Sequence, residues 1–134
     1  MSRLTRSWEH LKTGFQAEAA SAARLKALAK KAKAEGKDRL AAALAKLSEE
    51  KVELAAQLLE PLDRQPGWEE SLQALLAEER FEFEVLYPKM LGDLDSGLQG
   101  IVERVRAQHQ LHLQQIEKWS EQLLEHRDDL PEGA

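Results

Sequence analysis

Strong interruptions of the helical pattern fall at only three places in this sequence, and they limit the folds open to it. They are residues 35–38 around Gly36, residues 61–67 with two prolines, and residues 91–97 with two glycines. Proline removes a backbone donor and clashes with the preceding turn, while glycine is common just beyond a helix end. Asp38 is placed to cap a following helix. The segments between the interruptions therefore predict four helices, at about residues 4–34, 38–60, 67–91 and 95–126.

The composition is typical of long helices. Ala, Leu, Glu, Lys, Arg and Gln dominate, and aromatic residues make up only 5% of the chain. Straight side chains and Ala lose the least conformational freedom in a helix. At 134 residues the chain is one domain by length. We therefore predict an all-α fold, a four-helix bundle over residues 1–127 with a flexible tail at 128–134. Pro88 is expected to kink the third helix or to end it early.

Charge and hydropathy exclude several classes of protein. The net charge is −5, and Lys and Arg are scattered without a basic stripe interleaved with aromatic residues, which argues against nucleic-acid binding. No apolar run approaches the length of a membrane span, and the start lacks a signal-peptide core. We therefore expect a cytoplasmic protein that binds neither nucleic acid nor membranes. The absence of cysteine excludes disulfides, iron–sulfur clusters and zinc–thiolate sites.

Each predicted helix carries an apolar stripe at three-four spacing that polar residues interrupt near its middle. The interruptions in the first and second helices are Glu18 and Lys51. At about 1.5 Å per residue, Glu18 lies roughly 24 Å before the first break and Lys51 roughly 21 Å after it. Since stripping water from a charge is costly, matching interruptions predict one polar layer. The other two stripes are Trp68, Leu72, Leu75, Glu79, Glu82, Leu86, Met90 and Leu98, Ile101, Val105, His109, His112, Ile116, Trp119, Leu123.

Two pairs of residues in this layer are spaced for metal binding. Glu79 and Glu82 are three residues apart, as are His109 and His112, and residues at this spacing share a helix face. Helical bundles bind divalent metals with inward-facing Glu and His side chains. Imidazole suits zinc, iron, copper and nickel, and carboxylate extends the choice toward manganese. We therefore predict a divalent-metal site whose candidate ligands are Glu18, Glu79, Glu82, His109 and His112.

The same layer also has a metal-free interpretation. Lys51 would pair with Glu18 or Glu79, and the histidines would hydrogen-bond to carboxylates. A protonated lysine is not a metal ligand, so Lys51 itself favours this interpretation. The chain would then be a helical scaffold or a dimerisation module with a buried charge network. Both interpretations are open at this point.

Several short motifs resemble the rubrerythrin branch of the ferritin-like superfamily. They are Phe15-Gln16-Ala17-Glu18, the Glu35-Gly36 break, and Glu79-x-x-Glu82 followed by Tyr87-Pro88. The resemblance extends from about residue 10 to residue 119. It implies a ferritin-like four-helix bundle with a non-haem di-iron site that supports peroxide reduction or iron oxidation. Without a cysteine-rich rubredoxin module, redox turnover would need an external electron donor.

Carried over by position, the resemblance assigns only part of the family's ligand set. The matching positions are Glu18, Glu79, Glu82 and His112. The departing positions are Lys51 and Leu54, in place of a bridging Glu and a His on the second helix, and His109, in place of a bridging Glu on the fourth. Three carboxylates and one lysine leave two negative charges, which one divalent ion balances. We therefore predict a mononuclear site in which Lys51 stands in for the second metal.

The resemblance favours iron in that site, with zinc, manganese or copper as alternatives. Redox turnover and metal storage or delivery are both open, and no catalytic residue is assigned. The second interruption limits how the helices connect, because seven residues reach at most about 25 Å and such a bundle is over about 30 Å tall. Either the chain forms an up-down-up-down bundle, or hairpins exchange in a domain-swapped homodimer. The resemblance favours the homodimer.

Overall fold

Helices account for nearly all of the described chain. The structure, a computed structural model, describes residues 3–63, 67–126 and 128–133. It is 90% helical, with no strand in these ranges. The predicted all-α class is confirmed. Arg64, Gln65 and Pro66 of the second interruption lie outside the described residues, as do residues 1 and 2 at the start and residues 127 and 134 near the end.

Five α-helices and two shorter helical turns make up the described ranges. The helices are α1 (Arg3–Ala34), α2 (Asp38–Leu59), α3 (Trp68–Phe81), α4 (Tyr87–Asp93) and α5 (Ser96–His126). A 3-10 turn (Glu60–Leu62) follows α2, and a π-helical turn (Glu82–Leu86) joins α3 directly to α4. The described residues form two compact units, the first with α1 and α2 and the second with α3, α4 and α5. The single four-helix bundle therefore stays a prediction. None of these helices is both long and apolar enough to cross a membrane.

Gly36 closes the turn between α1 and α2. Its φ is +77°, in the left-handed region that glycine adopts without a Cβ clash. The Gly36 N–H donates to Lys33 O at 3.0 Å, and the Lys37 N–H donates to Ala32 O at 2.9 Å. These are the two bonds of a Schellman motif. Asp38 does not cap α2 as expected: the motif ends at Lys37, so Asp38 is the first residue of the helix.

The first unit is a helical hairpin held together by small residues. Ser48 Oγ donates a 2.7 Å hydrogen bond to Ala22 O across the two helices. Small side chains let the two backbones approach closely, but they leave no room to bury a leucine between only two helices. The large apolar side chains flank this alanine seam and are exposed, among them Leu28, Leu40, Leu47, Val52, Leu54 and Leu59. The buried residues of the unit, within the described part of the chain, are Ala22, Ala29, Ala32, Ala41, Ser48 and Ala55.

The second unit has a core of larger side chains between α3 and α5. Leu76, Leu113 and Ile116 are buried, and Leu72, Phe83 and Trp119 pack against them. Beside this core, Gln73 Nε2 donates a 2.7 Å hydrogen bond to Ser120 Oγ. The second unit therefore fully buries large apolar side chains, whereas the fully buried described residues of the first unit are small.

The predicted stripe of α5 is partly wrong. His109 and Ile116 are buried as expected, but Leu98, Ile101 and Val105 are about half exposed. Buried Leu113 and half-buried Val102 and Arg106 lie on the packed face instead. The packed face of α5 therefore lies one residue beyond the predicted stripe along much of the helix.

A π-helical turn in the middle of the third helical segment also changes the predicted phase. The Tyr87 N–H donates to Glu82 O, five residues back instead of four. Beyond this turn Tyr87, Pro88, Leu91 and Leu94 are half-buried, while Leu86 and Met90 of the predicted stripe are exposed. Pro88 neither ends the helix nor interrupts its continuity. It lies just after the π turn, where its missing N–H and its ring disfavour regular α geometry.

Candidate metal centre

Three of the five candidate ligands converge in the second unit. Glu79 lies in the last turn of α3, Glu82 begins the π turn, and His109 faces both from α5. His109 Nε2 lies 2.8 Å from Glu79 Oε2 and 3.6 Å from Glu82 Oε2. One ligand atom from each residue falls within 4.8 Å of the other two, and no second such group of three occurs in the described ranges.

Burial decreases from the imidazole outward. The His109 side chain is 9% exposed, the Glu79 side chain 22% and the Glu82 side chain 38%. The histidine is therefore held in the core, while the two carboxylates lie between the core and solvent. This arrangement leaves one side of the cluster open to an ion or a water molecule.

His109 Nε2 is surrounded by hydrogen-bond acceptors. Besides the carboxylates, its Nε2 lies 2.8 Å from the backbone oxygen of Glu79. All three neighbours of Nε2 are acceptors, so the ring nitrogen carries a proton and donates. A metal ion bound to Nε2 would replace that proton, which is the usual requirement for imidazole ligands.

Tyr87 lies against the other side of this cluster. Its ring meets the His109 ring edge to face, with centroids 5.5 Å apart and an interplanar angle of 69°. Burial raises the pKa of the Tyr87 phenol above its usual 10.0, and the negative charges of Glu82 and Glu79 raise it further. The phenol is therefore held in its neutral, hydrogen-bonding form beside the two carboxylates.

The distances in the cluster fit one small divalent ion after a modest adjustment. Ligand bonds of about 2.0–2.2 Å in tetrahedral geometry place ligand atoms roughly 3.4 Å apart. The 3.6 Å separation of His109 and Glu82 is close to that value, whereas the 2.8 Å hydrogen bond to Glu79 must lengthen. Two carboxylates supply the charge that balances one divalent cation, and one imidazole adds a nitrogen ligand common to zinc, iron and copper sites.

Glu18 lies in the first unit and has a different partner. Its Oε2 is 2.9 Å from Lys51 Nζ, and both side chains are about three tenths exposed. This ion pair is the Glu18–Lys51 contact of the metal-free interpretation. The part of Glu18 in a metal site stays a prediction.

His112 is exposed and does not belong to the converging group. It borders two shallow depressions on the second unit, one of about 290 Å³ shared with Glu79 and one of about 310 Å³ shared with His109. The three-residue spacing therefore brings only one histidine of the pair into the core. His112 stays a candidate ligand at the solvent side of the cluster.

Two residues near the cluster were not singled out from the sequence. Tyr87 was noted only as part of a motif, and Arg106 was not considered. Arg106 Nε donates to Phe83 O at 3.1 Å, and its guanidinium carbon lies 4.2 Å from the centre of the Phe83 ring. The one sequence signal for this arrangement is Pro88, because a proline inside a helical pattern disturbs the turn before it.

Comparison with known proteins gives no family for this chain. No protein-family model, no curated protein and no solved structure matches it. The resemblance to rubrerythrins therefore stays a prediction that depends on the quoted motifs alone.

Proposed function

We propose that this chain is a metal-binding protein of the ferritin-like type, holding one divalent ion at Glu79, Glu82 and His109. The observation that supports it best is the convergence of these three side chains from two helical segments, with a buried imidazole facing two carboxylates. A buried histidine needs only one acceptor for its Nε2 proton, yet three acceptors surround this one. His112 is the fourth ligand in this proposal, supplied from the exposed side.

The number of ions follows from charge. Two carboxylates balance one divalent ion, and a second ion at the same place would leave uncompensated positive charge in a partly buried site. Glu18 is neutralised by Lys51 at 2.9 Å, so it adds no free negative charge. Iron is the metal we favour by resemblance, with zinc, manganese or copper as alternatives. The exposed side of Glu82 leaves room for peroxide or oxygen, and redox turnover would use an external electron donor.

Elemental analysis of purified protein after exposure to iron, zinc, manganese and copper tests this function. We expect about one equivalent per chain, lost in a Glu79→Gln/His109→Ala variant. Glu78→Gln is the matched control, since Glu78 is the exposed neighbour of Glu79 on the same helix. Binding that survives the double substitution, or that disappears equally in the control, would refute the proposed site. Two carboxylate-bridged iron ions would refute its mononuclear form.

A homodimer is the second part of the proposal. Each unit exposes large apolar side chains, such as Leu47 and Leu54 in the first and Ile101 and Val105 in the second. Residues 1–64 carry 13 Lys and Arg against 9 Asp and Glu, whereas residues 65–134 carry 6 against 15. The two halves thus have opposite net charges, +4 and −9. We propose that a second copy covers these faces, the basic hairpin of one chain packing on the acidic hairpin of the other.

Sedimentation at low and high salt tests the dimer. Opposite charges attract more strongly at low ionic strength, so we expect the dimer to strengthen as salt falls. Ile101→Glu places a charge on the exposed apolar face of α5 and should give monomers, while Gln108→Glu, at an exposed polar position of the same helix, should not. A wild-type chain that sediments as a monomer at every salt concentration would contradict the proposal.

The metal-free scaffold is the competing function, and one observation favours it. His109 already donates to Glu79, and Lys51 already pairs with Glu18, so both polar groups have partners without an ion. Thermal unfolding separates the two functions. A metal protein loses stability on chelation, because binding to the folded state alone adds about 2.7 kcal/mol at a hundredfold excess over Kd. A scaffold unfolds at the same temperature with and without the chelator.

A further inference from the structure

The π turn and Pro88 together remove the donors that a regular helix would offer to the Phe83 carbonyl. In a regular α-helix the oxygen of Phe83 accepts from the N–H of Tyr87. Here that N–H donates to Glu82 O instead. In π geometry the partner of Phe83 O is residue 88, which is a proline and has no N–H. The Phe83 carbonyl therefore needs a donor from another helix.

Arg106 supplies that donor from α5. Its Nε–H donates to Phe83 O at 3.1 Å. Its guanidinium also lies over the Phe83 ring, with the central carbon 4.2 Å from the ring centre. Contact with both the oxygen and the ring fits the planar guanidinium better than a lysine ammonium. Arg106 thus binds the backbone and the side chain of the same residue in the π turn.

The π turn in turn determines what faces His109. A hydrogen bond five residues back places Tyr87 one turn above Glu82 on the same side of the helix. In a regular α-helix Leu86 would take that place. The edge contact of Tyr87 with His109 therefore depends on the π turn. Arg106 lies three residues before His109, so both side chains lie on the same face of α5. From that face Arg106 binds the π turn, and His109 contacts Tyr87 just beyond it.

We propose that Arg106 is a positioning residue of the cluster: by binding Phe83 O and the Phe83 ring it holds the π turn, and so keeps Glu82 and Tyr87 beside His109. Its effect on metal affinity rests on the proposed function, whereas its effect on the turn does not. Groups that orient metal ligands in this way commonly change affinity by about 10–100-fold. Loss of Arg106 lets the segment relax toward α geometry and turns Tyr87 away from His109.

Two readouts on Arg106→Ala test the positioning role, with Arg104→Ala as the matched control on an exposed position of α5. In metal-free protein, the ring-proton resonances of His109 report the nearby Tyr87 ring by NMR. His109→Ala assigns them among the four histidines. We expect these resonances to move in Arg106→Ala toward their positions in Tyr87→Ala. Cobalt(II) absorption titrations should show about tenfold weaker binding or more in Arg106→Ala, and wild-type affinity in the control.

A double-mutant cycle of Arg106→Ala with Pro88→Ala tests whether Arg106 acts by donating to the Phe83 carbonyl. Residue 88 then has an N–H that can donate to Phe83 O in π geometry, the bond that Pro88 cannot make. We expect Arg106→Ala to lower the urea midpoint less in the Pro88→Ala background than in the wild type. An equal loss in both backgrounds would mean that Arg106 does not serve the Phe83 carbonyl. If Arg106→Ala fails to fold alone, Arg106→Lys, which keeps the charge without the planar N–H, takes its place in every comparison.

Unchanged His109 resonances and unchanged cobalt affinity in Arg106→Ala would overturn the positioning role. The two proposals fail differently. If wild-type protein binds no cobalt, the proposed metal function fails with this probe, while the resonances and the cycle still decide whether Arg106 holds the turn. If wild-type protein binds cobalt and Arg106→Ala binds it equally well, the metal function stands and the inference about Arg106 is wrong.

Discussion

The carboxylates that interrupt the apolar stripes have different partners in the two helical units. In the first, Glu18 lies beside Lys51 at 2.9 Å, and the helices around it are regular. In the second, Glu79 and Glu82 share a single imidazole, and the helix that carries them contains a π turn. A lysine neutralises its partner and leaves nothing to bind, whereas two carboxylates around one histidine retain negative charge. In the second unit the candidate ligands therefore lie where the helix is irregular.

The two units also differ in the size of the side chains that they bury. Among its described residues the first unit fully buries only alanines and one serine, and its large apolar side chains are half-buried or exposed. The second buries Leu76, Leu113 and Ile116. Precise placement of ligands depends on well-packed neighbouring side chains. This core lies in the same unit as the proposed metal site, and substitutions can test how far the contrast between the units extends.

The largest expected effect comes from the core of the second unit. Leu113→Ala removes a buried side chain and leaves a cavity, which typically costs about 2–5 kcal/mol of unfolding free energy. Urea unfolding followed by circular dichroism measures the loss. The matched substitution in the first unit is Leu54→Ala, which is exposed in the single chain and is expected to cost less than about 1 kcal/mol at protein concentrations too low for the proposed homodimer. At higher concentrations, where a second copy would cover this face of α2, the cost of Leu54→Ala should rise toward that of Leu113→Ala.

Metal binding is expected to stabilise the second unit selectively. At a hundredfold excess over Kd a divalent ion adds about 2.7 kcal/mol. Amide hydrogen exchange with and without zinc localises the gain, which we expect in α3 and α5 around Glu79 and His109 and not around Glu18. His109→Ala should remove the gain, and exposed His10→Ala should leave it intact. Equal protection of both units would place Glu18 in the site after all.

Lys51→Glu would make the first unit resemble the second. It replaces an attractive ion pair with two facing carboxylates, and for side chains about three tenths exposed we expect a loss of about 1 kcal/mol. Divalent ions should then restore the stability of Lys51→Glu. They should have no such effect on the control Lys51→Gln, in which Glu18 faces no second carboxylate. Thermal unfolding with and without manganese measures the difference. If manganese leaves the unfolding temperature of Lys51→Glu unchanged, two facing carboxylates alone do not form a metal site here.

The smallest expected effect is a pH dependence at Tyr87. This is the only tyrosine in the chain, so tyrosinate absorbance reports it directly, with a midpoint above 10.0 because burial and then the charges of Glu82 and Glu79 raise its pKa. A raised pKa in the folded state means that stability falls as pH rises above 10.0. Glu82→Gln should lower the midpoint part of the way, and Tyr87→Phe should flatten the alkaline loss. A tyrosinate midpoint at or below pH 10.0 would contradict the half-buried position of the Tyr87 ring beside Glu82 and Glu79.

The sequence predicts the helical segments well because their ends have local causes. Gly36 allows a left-handed turn, and the helices on either side of it follow from that one residue. His109 and Glu79 also follow from periodicity, since a titratable residue inside an apolar stripe is conspicuous. The one-residue phase change after Glu82 could not be foreseen, because hydrophobic spacing assumes 3.6 residues per turn throughout. Tyr87 and Arg106 were missed for the same reason: both matter only once the π turn exists.

The charges of the first unit illustrate another limit. Periodicity placed Lys51 and Glu18 at one level, but it could not choose between a pair with each other and a pair with Glu79. In the structure Lys51 forms its ion pair with Glu18. His112 illustrates a third limit. Its three-residue spacing from His109 predicted that both histidines would be buried on one face of α5, but only His109 is buried.

The π turn has a consequence for insertions and deletions in this chain. The third helical segment contains one residue more than a regular helix with the same contacts on either side of it. Deleting one of the residues 83–86 would leave Tyr87 above Glu82 in ordinary α geometry, four residues on instead of five. The same deletion inside α1 or α5 would rotate everything beyond it by about 100° and separate the two ends of its packed face. In this stretch, therefore, one residue can be lost without rotating the helix face that follows.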